Sequence, residues 1–377
     1  MLGRLLERVV KDPGWGRWAA GGDAPGAPGA RVNSHSATQL LAVYGCVTLV
    51  ADVIATMPVD QFRKAPDGSR IEVPPASWVE QPNSATPYWD DFVRQCVWQL
   101  LLGGNLFLLP MRGDSGRVVE VWVADGAAAE VRSDGGRRRL WLDGRPYPGE
   151  VVHVPLYRAA STDLMGCSPI EHARQALGYG LNLQAYASNF IAKAAVPPVV
   201  IEAPGDLTRE QLTAMRDGFA ALYGGPSKAG LPGVLMGGAT AKQLTVTPEQ
   251  AQFLESRRFS AAEIASCIFH VPPDYVGVAI DGSTITYQNL ETRWIELVRR
   301  SCMPLMRRLE RAFYWLVPRP QYIRLNADVW LRPDTLSRYQ AHSLALDPVK
   351  GWLTRDEVRA IEDLPPLPTP PSMEVQP

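Results

Sequence analysis

The segment 252–277, QFLESRRFSAAEIASCIFHVPPDYVG, constrains the fold of this chain more than any other stretch. A helix start, TPEQ at 247–250, leads into it. Pro272 and Pro273 must end that helix, because proline has no backbone N–H to donate and its ring clashes with the preceding turn. A small polar loop at 278–286 follows, and a second long helical pattern then runs to about residue 316, with a kink predicted at Pro304. The sequence thus predicts two long helices joined by a short loop.

Two more helical patterns lie earlier in the chain. Ser36 is predicted to cap a helix with Gln39 as its capping-box partner, and apolar residues recur at helical spacing as far as Met57. Ser168 is the predicted cap of a third helix that continues to residue 195. Between residues 175 and 192 this helix has no charged residue, so we expect neighbours along most of its length.

Short strands alternate with Gly, Asp and Pro turns between residues 59 and 154, around one helix at 88–102. This pattern indicates a compact α+β module. The strand sequences are VDQFRK, NLFLLPMR, RVVEVWVA, AAEVRS, RRRLWLD and EVVHVP. A strand IRLNADVW at 323–330 and two short helices, at 333–346 and from Thr354, complete the predicted fold. Another strand and a short helix, at 208–223, precede a Gly- and Pro-rich stretch.

Composition excludes several classes of protein. The 377 residues are 46% hydrophobic and 20% charged, enough for two or three modules with cores. The net charge of −1 lacks the basic excess of a chain that grips DNA tightly by itself. We expect neither a secretory signal nor a membrane span. The five cysteines are widely separated and are predicted to be reduced, mostly buried thiols.

No catalytic or metal-binding motif stands out, and no cofactor is expected. GGPSKAG at 224–230 lacks the spacing and the Lys-Ser/Thr pair of a phosphate-binding loop. The five histidines are scattered, without metal-ligand spacing. Cys267 and His270 lie one turn apart and leave open a Cys-His processing hydrolase, although packing at a helix end explains both residues better. We therefore predict that the chain is not an enzyme.

Six motifs in order resemble the portal proteins of long-tailed bacteriophages, in particular the lambdoid-type portal family. They are AVYGCVTLVADVIATMPV, LLLGGNLFLLPMR, SPIEHARQAL, QFLESRRFSAAEIASCIFHVPP, GSTITYQNLE and GWLTRDEVRAIEDLPPLP. The resemblance spans residues 36–368. It implies an α+β portal fold and a ring, typically of twelve copies, at one capsid vertex, through which double-stranded DNA passes during packaging and ejection. His270 departs from the pattern, because a small residue such as Gly is common before Val-Pro-Pro.

The resemblance also implies a division of the chain into portal domains. After a disordered arm at 1–35 come an α+β wing at 36–167, a first stem helix at 168–195, a clip at 196–246 and a second stem helix at 247–271. Residues 272–330 would form the tunnel loop, the long kinked helix and a wing strand. A short helical crown at 331–364 and a disordered Pro-rich tail at 365–377 would follow.

Four groups of candidate site residues follow from the same resemblance and from the residue chemistry. The tunnel loop near DNA comprises Asp281, Gly282, Ser283, Thr284 and Thr286. The stem lumen or subunit packing involves Gln175, Gly178, Gly180, Asn182, Gln184 and Asn189. The clip would dock terminase and adaptors through Thr208, Gln211, Met215, Phe219, Lys228 and Lys242. The basic helix carries Arg293, Arg299, Arg300, Arg307, Arg308 and Arg311, which contact either DNA or acidic groups of a neighbouring copy.

The implied partners are other copies in the ring, the large terminase, head–tail adaptors, the major capsid protein or scaffold, and DNA bound without sequence preference. The expected location is the virion, after synthesis in the bacterial host cytoplasm. A phage, a prophage or a gene transfer particle all fit the motifs. The alternative from another class is a non-ring scaffold or adaptor that binds a virion protein through the basic helix.

Overall fold

A computed structural model describes residues 32–193, 199–202, 208–211, 213–214, 217–218, 240–243, 249–278, 287–328, 335–362, 364–365 and 367. Its long helices are α2 (Leu41–Ala55), α4 (Trp89–Trp98), α6 (Arg174–Lys193), α7 (Glu249–Glu263), α8 (Tyr287–Leu297), α9 (Met303–Phe313) and α10 (Thr335–Ala345). Shorter ones are α1 (Ser34–Ala37), α3 (Ser77–Glu80), α5 (Pro169–His172) and α11 (Arg355–Ile361). The fold is thus mixed helix and sheet, in agreement with the predicted α+β class.

Four small antiparallel sheets accompany the helices. The strands are β1 (Val59–Lys64), β2 (Arg70–Glu72), β3 (Asn105–Arg112), β4 (Val118–Val123), β5 (Ala129–Asp134), β6 (Arg137–Leu142), β7 (Arg145–Pro146), β8 (Val152–Pro155), β9 (Val199–Glu202), β10 (Thr240–Gln243) and β11 (Gln321–Leu325). Their orders are β11-β1-β2, β4-β3-β8, β5-β6-β7 and β10-β9. Strand β11 pairs with β1 from Val59 opposite Leu325 to Arg63 opposite Gln321, so a late strand joins the first module. It begins two residues before the predicted start at 323 and ends at Leu325, because residues 326–328 turn out of the strand.

One large core packs the elements between Ala37 and Leu156 against the helical segments between Ile264 and Val317. Helix α2 buries its whole predicted apolar stripe: Val43, Cys46, Val47, Val50, Val53, Ile54 and Met57. An aromatic group at its centre, Trp78, Trp89, Phe92 and Phe313, brings α3, α4 and α9 together with ring centroids 5.5–6.4 Å apart. A second, smaller core contains Phe107, Leu109, Trp122 and Tyr147.

The structure corrects two predicted helix starts. Asn33, not Ser36, caps the first helix: its Oδ1 accepts from the Ser36 N–H, and the Ser36 hydroxyl accepts from the Asn33 N–H. That helix lasts one turn, and the long helix begins separately at Leu41. The expected disordered arm at 1–35 is therefore wrong for residues 34 and 35, which are helical. Asx side chains cap well because they reach the free N–H groups of the first turn.

The helix predicted at 168–195 is also interrupted. The Ser168 cap, Pro169 in the first turn and Glu171 at N3 are confirmed, but α5 ends after one turn at Ala173, whose φ of −89° and ψ of 13° leave helical geometry. The chain resumes as α6 at Arg174. Local capping chemistry is enough to start a helix, whereas its continuation depends on packing with distant elements.

Three helices contain a widened turn with π-type spacing, at Gln99–Gly103, Ile264–Ile268 and Val298–Cys302. The third separates α8 from α9 and lies directly before Pro304, where the sequence predicts a kink. Among the described residues no helix is both long and apolar enough to span a membrane.

Candidate functional site

The two ends of the predicted tunnel loop are held together by a set of contacts that we call the loop base: His270, Asp274, Tyr275, Arg293, Trp294 and Ser301. Asp274 forms an ion pair with Arg293, and both side chains are about three-quarters buried. The Tyr275 and Trp294 rings lie 6.0 Å apart. The Ser301 hydroxyl donates to the carbonyl oxygen of His270 at 2.7 Å. Three contacts, an ion pair, an aromatic pair and a hydrogen bond, therefore join the segments on either side of the loop.

His270 ends the helical segment before the loop in a left-handed conformation, with a φ of 58°. The N–H of Val271 then donates to the carbonyl of Ala265 at 2.9 Å, which closes the widened turn. A helix end commonly places its next residue in this conformation, which glycine adopts most easily. Val271 is fully buried, which fixes the position of the chain directly before Pro272 and Pro273. The stop predicted from the two prolines is confirmed.

The tunnel-loop residues themselves, Asp281, Gly282, Ser283, Thr284 and Thr286, lie outside the described residues. The structure therefore describes the loop base but leaves the assignment of the loop as a prediction. The loop base is also a set of functional candidates that the sequence did not indicate. In the sequence, the only signal for the loop base was that Asp274 and Arg293 lie at similar sequence distances before and after the loop. No helical or strand periodicity relates these two residues.

Helix α6 has one buried face and one exposed face. Gly178 and Gly180 are buried, Asn182 is half-buried, and Gln175 and Gln184 are exposed. The side chain of Asn189 lies outside the described residues. A β-carbon at Gly180 would lie 3.3 Å from a Leu40 methyl group and 3.4 Å from the Ser260 hydroxyl. The close approach at Gly180 is thus made within one chain, while any lumen or subunit role of this group stays a prediction.

The arginines of the basic helix are in different environments. Arg300 contacts Glu296 at 3.4 Å, Arg307 contacts Glu310 at 2.9 Å, and Arg308 lies over the Tyr157 ring at 5.3 Å. Arg299 and Arg311 are exposed, and the described part of the chain gives them no ionic partner. Part of this positive charge is therefore balanced within the chain, and the predicted contacts with DNA or with a neighbouring copy stay a prediction.

Glu310 is the acidic centre of that helix. It accepts from the Leu325 N–H at 3.1 Å and pairs with Arg307 and with Arg324 at 3.3 Å. Burial nevertheless raises the pKa of the Glu310 carboxyl, against the lowering effects of the Leu325 N–H and of Arg307. The carboxyl thereby fastens α9 to strand β11.

Little of the predicted clip lies within the described residues. Thr208 and Gln211 are exposed and form a capping box, in which the Thr208 N–H donates to Gln211 Oε1 at 3.0 Å and the Gln211 N–H donates to Thr208 Oγ1 at 3.4 Å. Met215, Phe219 and Lys228 lie outside the described residues. Lys242 is part of β10, with its side chain not described. The docking role of this group stays a prediction.

The Cys267 and His270 pair shows no geometry of a nucleophile and its base. Cys267 Sγ lies 3.7 Å from the Ser266 hydroxyl, and His270 Nδ1 lies 3.3 Å from the Ser266 carbonyl oxygen. Among the contacts of the described residues, none joins the two side chains. All five cysteines are free thiols, and Cys46, Cys96 and Cys302 are buried. Burial raises the pKa of Cys46 and of Cys302 to about 12, which makes these thiols inert.

The fold defines a class of protein: a mixed helix and sheet chain in which long helices accompany several small antiparallel sheets. The family described as phage portal protein matches residues 41–363. A probable portal protein of Streptomyces phage phiC31 is 34% identical over 367 residues, covering 92% of this chain and 79% of that protein. The portal protein of Enterobacteria phage HK97 is 27% identical, with 89% and 81% covered. The chain belongs to the phage portal protein family.

Solved structures show the same fold. A chain in the virion of a native gene transfer agent particle is similar with a TM-score of 0.59 and 21% identity, covering 94% of this chain and 99% of that one. An HK97 family phage portal protein from Corynebacterium diphtheriae gives a TM-score of 0.56 at 18% identity, covering 78% and 95%. Among the described residues no group of three or more His, Cys, Asp or Glu could hold a metal ion.

Proposed function

We propose that this chain is the subunit of a portal ring at one vertex of a phage capsid, the channel through which double-stranded DNA enters and leaves. The observation that carries the proposal is the portal-family match over residues 41–363. Its function is then structural and not catalytic, which agrees with the unpaired geometry of Cys267 and His270. Synthesis in the host cytoplasm and assembly into the virion complete the proposal.

The ring has twelve copies in this proposal. A chain in the neck of a native gene transfer agent particle, computed with C12 symmetry, has a TM-score of 0.57 to this chain and supports that number. At 41.4 kDa for one chain, twelve copies have a mass of about 500 kDa. A ring of this kind leaves a central hole, and the candidate lumen surfaces are the uncharged face of α6 and the loop after α7.

The portal domains keep their sequence-based boundaries. The wing takes residues 36–167 and the returning strand β11, the stem takes α6 and α7, and the clip takes the residues between them. The clip docks the large terminase and later the head–tail adaptors, and the wing meets the capsid protein or scaffold. The C-terminal helices α10 and α11 form a short crown. Packaging energy comes from the terminase, because the chain has no phosphate-binding loop.

The tunnel loop approaches the DNA, and its base is rigid. Contacts made by Asp274, Arg293 and Ser301 favour this assignment, because they fix both ends of the loop to the helical layer. Near-neutral charge suits a channel, since each phosphate contact strengthens binding and would slow sliding DNA. The internal pairing of Arg300 and Arg307 reduces such contacts further.

The mass of the assembled protein tests the proposal. Light scattering on the purified chain should give the mass of about twelve subunits, and negative-stain images of the same sample should show rings with a central hole. If the chain stays monomeric at all salt and protein concentrations, and also when co-expressed with capsid protein and scaffold, the ring is excluded. The scaffold or adaptor function would then replace it.

A further inference from the structure

An open groove lies where three parts of the fold meet: the segment after β8, the end of α7 and the α8–α9 junction. Its volume is about 560 Å³, within the range of peptide- and ligand-binding pockets. Its apolar lining includes Leu101, Leu156, Ile268, Phe269, Pro304 and Leu305. Tyr157, which is about half exposed, lies at its edge. We call it the arginine groove, because Arg158 and Arg300 line it.

The charged side chains that line the groove all belong to basic residue types. They are Arg158, Arg300, His172 and His270, and no Asp or Glu is among the described lining residues. Arg308 adds a further cation, because its guanidinium lies over the Tyr157 ring. The groove therefore presents an apolar floor under a positive rim, which is the complement of an acidic, apolar peptide.

Two of these arginines have hydrogen-bonding capacity to spare. The Nε atoms of Arg158 and Arg308 are buried, and neither has an acceptor within the described structure. Burial lowers the pKa of Arg158, and the neighbouring charge of Arg138 lowers it further, while Asp163 acts in the opposite direction. Glu296 already contacts Arg300 from its own helix. An additional carboxylate at the rim would satisfy Arg158 in particular.

The C-terminal segment 361–377, IEDLPPLPTPPSMEVQP, has the matching chemistry. It has no Lys or Arg and includes six prolines, and Glu374 is its acidic residue after Leu367, whereas Glu362 already pairs with Arg338 and His342. Leu364 is 49% and Leu367 is 45% exposed, so about half of each apolar residue is left uncovered by the described fold. Proline-rich segments bind aromatic-lined grooves well, because their extended conformation costs little entropy to order.

We propose that the arginine groove is the docking site for the C-terminal segment of its own chain, with residues 368–377 lying across the apolar floor and Glu374 at the Arg158 rim. Ten residues in extended proline-rich conformation span about 31 Å, which gives the segment long reach beyond Leu367. Docking covers the groove and fastens the C-terminal helices to the first module. The inference concerns a single chain and does not require the ring.

Disulfide trapping in the full-length chain tests this docking. Cys267 lines the groove and is exposed, and the half-buried Cys167 lines it too, so the experiment is made in a Cys167→Ser background, where a thiol in the tail has Cys267 as its target. The variant Met373→Cys is treated at low protein concentration with oxidised glutathione, which accepts the two electrons of the new disulfide. We expect a faster-migrating single chain on a non-reducing gel, and we expect no such band when Cys267→Ser is added.

Matched variants separate docking from random collision. Ser343→Cys, on the exposed side of α10, should cross-link to Cys267 at least about tenfold more slowly than Met373→Cys. Arg158→Glu should slow the Met373→Cys reaction about tenfold, while Arg158→Lys should keep most of it. Thermal unfolding of each variant shows that the fold is intact.

Three results would overturn the inference. They are equal rates for Met373→Cys and Ser343→Cys, a rate unaffected by Arg158→Glu in a folded variant, and a cross-linked dimer in place of the single chain. The dimer would place the tail of a second copy in the groove. None of these results bears on the ring, whose test is the mass of the unmodified protein.

Discussion

His270 is the residue at which backbone geometry departs most from what its type prefers. Among the described non-glycine residues only His270 and Asp143 have a positive φ, of 58° and 49°. The left-handed conformation costs a histidine about 1–2 kcal/mol, because its β-carbon crowds the following carbonyl oxygen. Glycine, the residue type that the resemblance led us to expect before Val-Pro-Pro, adopts this conformation without that cost.

Replacing His270 with glycine should therefore stabilise the chain. We expect His270→Gly to raise the free energy of unfolding by about 1 kcal/mol, since the strain is removed and the exposed imidazole makes only a weak contact with Ser266. Urea unfolding of the unassembled chain measures the change. His270→Ala is the control, because it removes the imidazole but keeps the β-carbon. Equal stability of the two variants would show that backbone strain at this residue is negligible.

His153 titrates far from its usual range. Its ring stacks on Phe107 at 4.5 Å, and its Nε2 lies 2.9 Å from Asn105 Oδ1. Burial, with the charges of Arg158 and Arg138, lowers the pKa of His153 from 6.5 to about 4. The folded chain thus holds this imidazole neutral at pH values where the unfolded chain protonates it.

The free energy of unfolding should consequently fall as the pH drops from about 6.5 to 4, because His153 is protonated in the unfolded state but stays neutral in the folded state over this range. We expect His153 to account for about 2 kcal/mol of that loss. Urea unfolding at pH 7 and at pH 4.5 measures it, with His153→Gln as the matched neutral variant. A pH dependence that is the same in the variant and the unsubstituted chain would contradict the assignment to His153.

At the scale of elements, helix α6 comes close to its neighbours at Gly180. Gly180 packs against Leu40, directly before α2, and against Ser260 of α7. Neighbours at 3.3 and 3.4 Å from a β-carbon must yield by a few tenths of an ångström. An alanine would therefore be close to neutral, because its better helix propensity offsets the crowding.

A larger side chain at this position has no space. We expect Gly180→Leu to lower the free energy of unfolding by about 1–3 kcal/mol through overpacking. Ala185→Leu, on the exposed side of the same helix, should change it by less than about 0.5 kcal/mol. Thermal unfolding by circular dichroism compares the two variants. Similar losses in both would mean that α6 does not pack on α2 and α7 in solution.

The same scale shows which elements the sequence could predict. The strands VDQFRK and NLFLLPMR were placed to the residue, because alternation and turn residues are local signals. The break at Ala173 and the widened turn at Ile264–Ile268 were not predicted. Both depend on packing against elements that are distant in the sequence, so no local period records them.

At the scale of the whole molecule, the loop base decides how a tunnel loop would move. Because Asp274 and Arg293 fix its two ends, displacement of the loop must be local and need not disturb the helical layer. In the proposed channel, small residues at the centre of this loop would leave clearance around the DNA. The proposed channel makes that clearance testable.

Replacing Gly282, Ser283 and Thr284 together with tryptophan should abolish DNA-filled heads while capsid shells still form. The expected cause is obstruction of the channel, so the mass of the ring should be unchanged. Electron microscopy of particles and nuclease-protected DNA measure packaging. The control replaces exposed Gln340 and Ser343 of α10 with tryptophan, which should package normally. Normal packaging in the loop variant would remove these residues from the channel.

The sequence alone determined most of the elements and, through ordered motifs, the family, because the periods of helices and strands, caps and proline stops are local properties of the chain. Only the tertiary structure decided the left-handed His270, the contact of Gly180 with Leu40 and Ser260, and the arginine groove. Each of these depends on which residues, far apart in the sequence, meet when apolar surface is buried. Folding thereby brought Arg158 and Arg300, which are far apart in the sequence, to the rim of one groove.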